Sequence, residues 1–454
     1  MGGTDIMQRL ILIIGMLCSG AAWAGPSAEE IFADARAYTA YIETRIEIPF
    51  IEDEQGVSIG AGFVIDRERR WLLTNAHVSG RSPAHITAMF DGAEPVRAWP
   101  VYIDPYLDLA ILEYEAASGK EGTQLARLDC DTTPGTGHPV GAFGHPNGFK
   151  FSGTRGVISG QTYRFGADWL QTDAPINGGN SGGPLISLVT GKVIGISTAT
   201  LGDQHSQNAN FAMLALQACR VVELLKKGDD PRPTSLGVSF FREGEEDSLR
   251  VAQVFSVGAT AGLHRGDVIL GLAGVKEQPS SEGQLIHLLR GRSHRVQLLI
   301  RRAGETISVD ANFPPQTAPL DRRGLNLGGA LLAVSNQTDI EGLVSASPVM
   351  VHSVSKGSAA GLARLKPYDH LVAVDGVAIR NLEEIEAAGW AHAGGGARGG
   401  PVVLEFLRPS GTDSSFTVDL LARLPVEGLE SVGFARDASQ PLAQAVSRIA
   451  NPRP

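Results

Sequence analysis

The sequence predicts a mainly β protein in which a β-barrel domain precedes two small, related α/β domains. Three observations support this architecture. At 454 residues the chain is too long for one ordinary hydrophobic core, and about 150 residues per domain gives roughly three domains. Its 55 glycines and 25 prolines indicate many turns, which favours short strands over helical bundles. A segment of the C-terminal half also occurs twice.

The first domain consists of short apolar segments separated by Gly, Pro, Asp and Ser turns, a spacing typical of a barrel or sandwich. We expect strands at residues 62–65, 71–73, 109–112, 193–196 and 211–213. We expect helices at residues 27–44 and 215–227. The run Asp229-Asp230-Pro231-Arg232-Pro233 has the composition of a linker and ends the domain.

The N-terminus has the features of a secretory signal. Arg9 is followed by the apolar run 10–17 and by small residues that end at Ala22-Trp23-Ala24, so cleavage is expected after Ala24. An uncleaved anchor is the alternative, but residues 10–24 are fewer than the roughly 20 apolar residues that a spanning helix needs. We therefore expect a periplasmic or secreted protein with no stable membrane span.

The repeat in the C-terminal half defines two related domains. Ala261-Gly262-Leu263 leads to Asp267, and Ala360-Gly361-Leu362 leads to Asp369. The glycines are 99 residues apart and the aspartates 102, so the second copy carries three additional residues. The predicted divisions are a signal peptide at 1–24, the barrel domain at 25–228, the repeat domains at 235–313 and 320–424, and a mobile C-terminal tail at 425–454.

Charge and cysteine content restrict the partners and the compartment. The formal net charge of −10 does not favour nucleic acid or an anionic membrane surface, so protein or peptide partners are expected. After signal removal only Cys130 and Cys219 remain. An oxidising compartment permits a disulfide between them, but sequence alone leaves a pair of buried thiols equally open.

A glycine-rich run carries the strongest catalytic signal. Gly179-Asn180-Ser181-Gly182-Gly183-Pro184 places a hydroxyl where missing Cβ atoms let a substrate carbonyl approach backbone amides. Such a run alone is more often an exposed loop. Here it predicts Ser181 as a nucleophile, with the amides of Gly179 and Ser181 as oxyanion donors.

A base and an orienting carboxylate complete the set that serine catalysis needs. His77 follows the apolar strand 71–73, where the chain turns polar, and Asp108 precedes the strand 109–112, where an unpaired charge is costly to bury. Asp104 is the competing carboxylate, and we expect it to be a solvated turn cap. His138 and His145 lie in Gly/Pro turns and are interpreted as ordinary.

The order His77, Asp108, Ser181 is that of chymotrypsin-type enzymes. The segments Thr74-Asn75-Ala76-His77, 104–110 (DPYLDLA) and 171–185 (QTDAPINGGNSGGPL) resemble the three catalytic blocks of the HtrA/DegP family. The resemblance covers roughly residues 45 to 225. It implies a chymotrypsin/trypsin-like double β-barrel and an ATP-independent periplasmic protease that degrades misfolded proteins and often assembles from trimers.

Two departures from the family pattern accompany this resemblance. Gly178 stands where proline is common before the Gly-Asn-Ser turn, and the long regulatory loop of some members is absent between Gly62 and Trp71. The first suggests a looser oxyanion loop, and the second argues against large cage assemblies. Aromatic residues of the 27–44 helix could pack between subunits or cover the barrel itself; they are Phe32, Tyr38 and Tyr41.

Specificity is expected to depend on residues near the nucleophile. In this fold the floor of the S1 pocket lies just upstream of the serine. We expect the pocket to be lined by Pro175, Ile176, Asn177, Ile196 and Ser197. Since none is acidic, we expect cleavage after small or medium aliphatic residues. Asp173 is the nearest carboxylate, and if it lined the pocket it would favour cleavage after Arg or Lys instead.

The repeat domains resemble PDZ domains. Leu236-Gly237-Val238 resembles the loop that binds a peptide carboxylate while the peptide adds to a strand edge. We expect the first domain to bind the apolar C-termini of unfolded or misfolded substrates. In the second domain Leu327-Gly328-Gly329 is less like that loop, so less affinity and a packing role are expected. Either domain could instead be a structural spacer.

The sequence is less consistent with two other functions. A peptide-binding adaptor or chaperone with an inert protease fold would need no triad, so the intact set of residues favours the enzyme. A metal-dependent enzyme is disfavoured because the sequence contains no His-Glu-x-x-His motif or paired cysteine ligands. No cofactor is implied.

Overall fold

The computed structural model describes residues 25–448 except 105, 117–123, 165–166, 199–209, 242–248, 256–257, 259–260, 293, 335–347, 394–401, 410–415, 425–429 and 435–443. The predicted signal peptide and its cleavage site at Ala24 lie outside these residues. Within them the chain is mainly β, as predicted, with two closed barrels followed by smaller sheets.

The first described element is helix α1, Ala28–Tyr38. Ser27 begins it with a capping box, because its hydroxyl accepts the Glu30 amide (3.2 Å) while the Glu30 carboxylate accepts the Ser27 amide (2.7 Å). The predicted helix at 27–44 is wrong after Tyr38. Strand β1, Thr39–Ile46, begins there and alternates buried with more exposed side chains. β-Branched and aromatic residues fit that half-buried strand better than a helix.

The first barrel closes in the order β1-β2-β3-β6-β5-β4. Its strands after β1 are β2 Gly56–Asp66, β3 Trp71–Thr74, β4 Ala84–Met89, β5 Val96–Asp104 and β6 Leu109–Tyr114. Between β3 and β4 lies the short helix α2, Ala76–Ser79. Large apolar side chains such as Phe63, Leu72 and Ile111 are fully buried inside, which fixes the register of the strands.

The second barrel closes in the order β10-β11-β12-β9-β8-β7. Its strands are β7 Pro139–Gly144, β8 Ser152–Arg164, β9 Ala167–Thr172, β10 Pro184–Ser187, β11 Val193–Thr198 and β12 Asn210–Leu214. Helix α3, Ala215–Lys227, follows with the bounds that the sequence predicts. Each of the five predicted strands lies inside a strand of one of the two barrels.

A disulfide joins Cys130 to Cys219, with the Cα atoms 5.8 Å apart. The sequence left this pairing open. The bond links the chain between the two barrels to α3, across 89 residues of sequence, and so limits the freedom of the unfolded chain.

The first repeat domain contains two small sheets and a helix, and we call it the first module. Strands β13 Val238–Phe240 and β14 Val251–Val254 pair with each other, and β15 Val268–Leu272 pairs with β16 Arg295–Arg302, which pairs with β17 Glu305–Asn312. Helix α4, Glu282–Leu289, packs into the same core, which includes Val238, Leu285 and Phe313.

The second repeat domain, the second module, forms a larger sheet in the order β24-β23-β21-β20-β19-β18-β25-β26, with β22 against β21. The elements are β18 Arg323–Leu327, β19 Ala330–Val334, β20 Val349–Val354, α5 Ala359–Leu362, β21 His370–Val374, β22 Val377–Ala378, α6 Leu382–Ala393, β23 Val402–Pro409, β24 Phe416–Leu424, β25 Glu430–Phe434 and β26 Gln444–Arg448.

The predicted C-terminal tail therefore supplies strands. β25 pairs with β18, and β26 pairs with β25. The expectation of a mobile tail is wrong for these residues, because the exposed edge of β18 provides backbone partners that the sequence pattern alone does not reveal. Among the described residues no helix is both long and apolar enough to cross a membrane.

Candidate active site

His77 lies in the first turn of α2, immediately after strand β3. The turn is attached to the backbone of Asp108, because the Ala76 amide (3.0 Å) and the Asn75 side-chain amide (2.9 Å) both donate to the Asp108 carbonyl. The His77 side chain is 41% exposed. The polar turn that the sequence suggested thus places a partly solvated imidazole at the rim of the first barrel.

Asp108 has a left-handed backbone, with φ at 49°, a conformation that Asp tolerates better than most residues. Its carboxylate faces His77. Oδ2 lies 2.7 Å from His77 Nδ1, and Oδ1 accepts the His77 amide at 2.9 Å. Arg81 Nη2 also donates to Oδ1, at 3.2 Å. Both carboxylate oxygens are therefore engaged, and the imidazole is held by the group that the sequence proposed.

Ser181 is 5% exposed and lies where the two barrels meet. Its carbonyl accepts the Ala61 amide of β2 at 2.8 Å. The next residue, Gly182, has φ at 82°, and a Cβ there would lie 2.2 Å from both the Ala61 carbonyl oxygen and Thr74 Oγ1. Only glycine fits this contact. The serine loop is thereby pressed against the end of β3, three residues before His77.

A turn that begins at His145 supports the other side of the serine loop. The His145 amide donates to the Gly179 carbonyl (3.1 Å), and the Asn147 amide donates to the Gly178 carbonyl (2.8 Å). A Cβ on Gly179 would lie 2.1 Å from the His145 carbonyl oxygen. Within the described part of the chain the Gly179 amide donates no hydrogen bond. The amide is thus available to a ligand.

His145 is therefore more than an ordinary turn residue. Its ring is fully buried between Tyr41 and Phe151, and its Nδ1 accepts the Phe151 amide at 3.0 Å. Burial lowers the pKa of His145 to about 4, so the ring is neutral at pH 7. Sequence reasoning did not identify His145 as a support of the serine loop. The Gly/Pro turn around His145 was the only signal for it in the sequence.

Asp104, the competing carboxylate, is fully buried, so the expectation of a solvated cap is wrong. Its Oδ1 does cap the turn, accepting the Tyr106 and Leu107 amides at 2.8 Å. The buried Arg290, which follows α4, lies 2.6 Å from Oδ2. Burial raises the pKa of Asp104, but the Arg290 charge offsets this and leaves the pKa below its ordinary value. A partner from a distant domain is invisible to local sequence patterns.

The residues predicted for the S1 pocket separate into two groups. Pro175 and Asn177 are exposed, whereas Ile176 and Ile196 lie in core clusters of the barrels. Ser197 is fully buried, and its amide donates to the Gly183 carbonyl while its carbonyl accepts the Gly182 amide, both at 2.8 Å. Its backbone thus supports the serine loop. Asp173 Oδ1 accepts the Val157 amide at 2.6 Å.

The predicted carboxylate loop of the first module leads into a strand with an open edge. Leu236 and Val238 are buried in the same cluster as Leu285 of α4. The carbonyl of Gly237, whose φ is 63°, accepts the Phe255 amide at 2.8 Å. Among the described residues β13 pairs only with β14. Its other edge is therefore available to an added strand.

The corresponding edge in the second module is occupied by the chain itself. After the turn at Gly328-Gly329, β19 pairs on one side with β20 and on the other with β18. Leu325 and Leu327 of β18 are buried in one cluster with Leu382 and Ile385 of α6. Arg323 Nη1 forms an ion pair with Glu383 (3.2 Å). Strand β18 thus fills the space between β19 and α6.

Comparisons with known proteins agree with this geometry. Residues 60–196 match the family described as trypsin-like peptidase domain. The chain is 30% identical to serine protease Do-like HtrB of Bacillus subtilis over 57% of this chain and 62% of that protein. It is 27% identical to periplasmic serine endoprotease DegP of Escherichia coli, over 74% and 72% respectively.

A solved structure shares the fold. The HtrA-type protease AlgW with a tripeptide aligns with a TM-score of 0.51 and 26% identity, covering 64% of this chain and 98% of that one. The chain spans less than two thirds of HtrB and somewhat more than two thirds of DegP.

Proposed function

We propose that this chain is an ATP-independent endopeptidase of the HtrA/DegP family of serine proteases, which its relatives represent, and that it degrades unfolded or misfolded proteins in the cell envelope. The observation that carries the proposal is the 2.7 Å contact between His77 Nδ1 and Asp108 Oδ2, at the rim of the first barrel, against which the Ser181 loop packs through the Ala61 amide. Similarity to the periplasmic serine endoprotease DegP of E. coli supports both the activity and the compartment.

The proposed mechanism assigns one role to each group. Asp108 accepts Nδ1–H of His77, which leaves Nε2 as the base that removes the Ser181 proton during attack on the scissile carbonyl. The amides of Gly179 and Ser181 stabilise the oxyanion. His77 then gives the proton to the leaving amine, and water hydrolyses the acyl-enzyme. None of these steps requires a cofactor.

Substrate selection is proposed at two places. Exposed Pro175 and Asn177 are the better candidates for contact with the side chain before the cleaved bond, since Ile176 and Ile196 have little exposed surface. The carboxylate of Asp173 is bound to a backbone amide, which favours small or medium aliphatic side chains over Arg or Lys. The open edge of β13 is proposed to capture apolar C-termini, as PDZ domains do.

Assembly remains a prediction from the family resemblance. The aromatic residues that were candidates for a trimer interface contact the chain's own second barrel: the rings of Phe32 and Phe143 are 6.1 Å apart, and those of Tyr41 and His145 5.1 Å. Tyr38 is buried. These contacts favour the alternative that the aromatic residues cover the chain's own barrel. Light scattering at micromolar concentration measures whether the chain forms a homo-oligomer, and a trimer in particular.

Degradation of a denatured protein tests the proposed activity. Ser181→Ala and His77→Ala should each abolish turnover, and Asp108→Asn should lower kcat by about 10⁴-fold, without unfolding the protein. A fluorophosphonate should label Ser181, and the mapped cuts should follow aliphatic residues. Retained cleavage in pure Ser181→Ala protein would exclude the triad. A wild type that binds the denatured protein without cutting it would instead favour an adaptor or chaperone.

A further inference from the structure

The second module covers the segment 47–55, which connects β1 to β2 beside the candidate active site. Phe50 is fully buried in a cluster with Leu331, Ala333 and Val432. Ser353 Oγ donates to the Pro49 carbonyl at 2.7 Å. A buried aromatic side chain from one domain inside another gives a defined position to the segment that carries it.

The same segment is bonded to the residues that follow α2. The Phe50 amide donates to Ser82 Oγ (2.8 Å), and this hydroxyl donates to Asp53 Oδ2 (2.6 Å). The Arg81 amide donates to the same Asp53 oxygen at 2.7 Å. These bonds fix the backbone of Arg81 relative to Phe50, in a region where Ser82 is 1% exposed.

The Arg81 guanidinium in turn reaches the carboxylate that holds His77. Arg81 Nη2 donates to Asp108 Oδ1 at 3.2 Å, the oxygen that also accepts the His77 amide. Both side chains are about one fifth exposed, at 19% and 20%. Because Asp108 has a left-handed backbone, its carboxylate direction depends on such contacts rather than on a regular strand.

A second contact from the same module involves neighbours in sequence of His77 and Asp108. Leu320, just before β18, shares a cluster with Ala76 and Ala110, which precede His77 and follow Asp108. The second module therefore contacts the triad region both through Phe50 and through Leu320.

We propose that Arg81 is a positioning residue for the His77–Asp108 pair and that the second module, docked on segment 47–55, holds Arg81 in place. The inference rests on the proposed triad. Arg81 orients the carboxylate, and the carboxylate orients the imidazole. The second module thereby contributes to the chemical step through its position, with no contact to the substrate.

The test measures kcat and KM for a short peptide substrate, with the full-length protein. Arg81→Met should lower kcat by about tenfold or more, since small misplacements of reacting groups are costly, and should leave KM nearly unchanged. Arg81→Lys keeps a cation near Asp108 and should restore part of kcat. The matched control is Arg97→Met, an exposed arginine on β5, which should keep the wild-type kcat.

The role of the second module is tested with Phe50→Ala, which should also lower kcat. The double variant Phe50→Ala/Arg81→Met should have nearly the same kcat as Arg81→Met alone, because both residues act on Asp108 through the same contacts. Leu362→Ala, at an exposed position of the second module, is the control and should change nothing.

The outcomes separate this inference from the proposed function. An active wild type, an inactive Ser181→Ala and a wild-type kcat in Arg81→Met would overturn the positioning role alone. An equal loss of kcat in Arg81→Lys and Arg81→Met, with a lowered Tm and a raised KM, would show that Arg81 has a structural role. That result would also overturn the positioning role. Activity in Ser181→Ala would instead remove the triad itself.

Discussion

The two C-terminal modules share a sequence repeat but differ in the pairing of the strand that follows the glycine turn. In the first, β13 pairs with β14 alone among the described residues. In the second, β19 is enclosed between β20 and β18, and β18 packs its leucines beside α6. In the first module the other edge of β13 thus has no described strand beside it, whereas in the second the chain itself occupies the corresponding edge.

The modules are also attached to the barrels through different residues. The first is held by a buried ion pair, Arg290 with Asp104, at 1% and 0% exposure. The second is held by apolar contact around Phe50 and Leu320 together with the ion pair between Arg322 and Glu52. A repeated sequence therefore predicts a repeated fold but not the contacts of each copy, and the different roles that we propose for the two modules depend on those contacts.

The largest expected effect is on the attachment of the first module. Arg290→Ala leaves the Asp104 carboxylate buried without its cation, which should weaken the attachment by about 3–5 kcal/mol. The measurement is the rate at which a protease cuts the exposed linker 228–230 under native conditions. Arg290→Met combined with Asp104→Asn should recover part of the loss, since it removes both charges.

The exposed Arg265 of the same module provides the control, because Arg265→Ala should leave the cutting rate unchanged. An unchanged rate in Arg290→Ala would contradict the view that the buried pair holds the module.

Acid should loosen the second module through His352. Burial lowers the pKa of His352 to about 4, with Glu52 opposing and Arg322 adding to the shift; its Nδ1 accepts the Ile51 amide at 3.3 Å. The unfolded chain binds the proton more strongly, so this stability is complete above about pH 6.5 and is lost as the pH falls toward 4. The loss should reach roughly 3 kcal/mol at pH 4.

The comparison variant is His352→Gln, which should flatten this part of the pH dependence in urea unfolding of the second module. His287 lies on α4, and burial lowers its pKa to about 4 as well. Protonation of His287 should therefore destabilise the first module over the same range of pH. If His352→Gln and wild type lose stability in parallel between pH 6.5 and 4, the role of His352 is refuted.

The fold was largely predictable, because it depends on local signals. Turn residues between short apolar runs placed strands in both barrels, and α3 was predicted with its observed bounds. The failures concern long-range partners. Helix α1 ends at Tyr38 because Thr39–Ile46 pairs with β2 and β4, and the predicted tail becomes β25 because β18 offers it an edge.

The candidate site shows the same division. His77 and Asp108 were identified from residue type, order and neighbouring strands, and the structure brings them into contact. Sequence reasoning did not identify the residues that surround the candidate triad, namely Arg81, the turn at His145 and the Arg290–Asp104 pair. Those residues act through contacts across 27 to 186 positions of sequence, and no periodicity or turn rule reports such contacts.

Peptide binding to the full-length Ser181→Ala protein tests the central difference between the modules most directly. Calorimetric titration with an apolar peptide should give one site per chain. The same peptide with a C-terminal amide should bind about tenfold more weakly or worse, because a charge-assisted hydrogen bond is lost. Gly237→Val should abolish binding with folding intact, whereas Val334→Thr, at an exposed position of β19, should not change it. Two sites per chain, or equal affinity for acid and amide, would contradict the account.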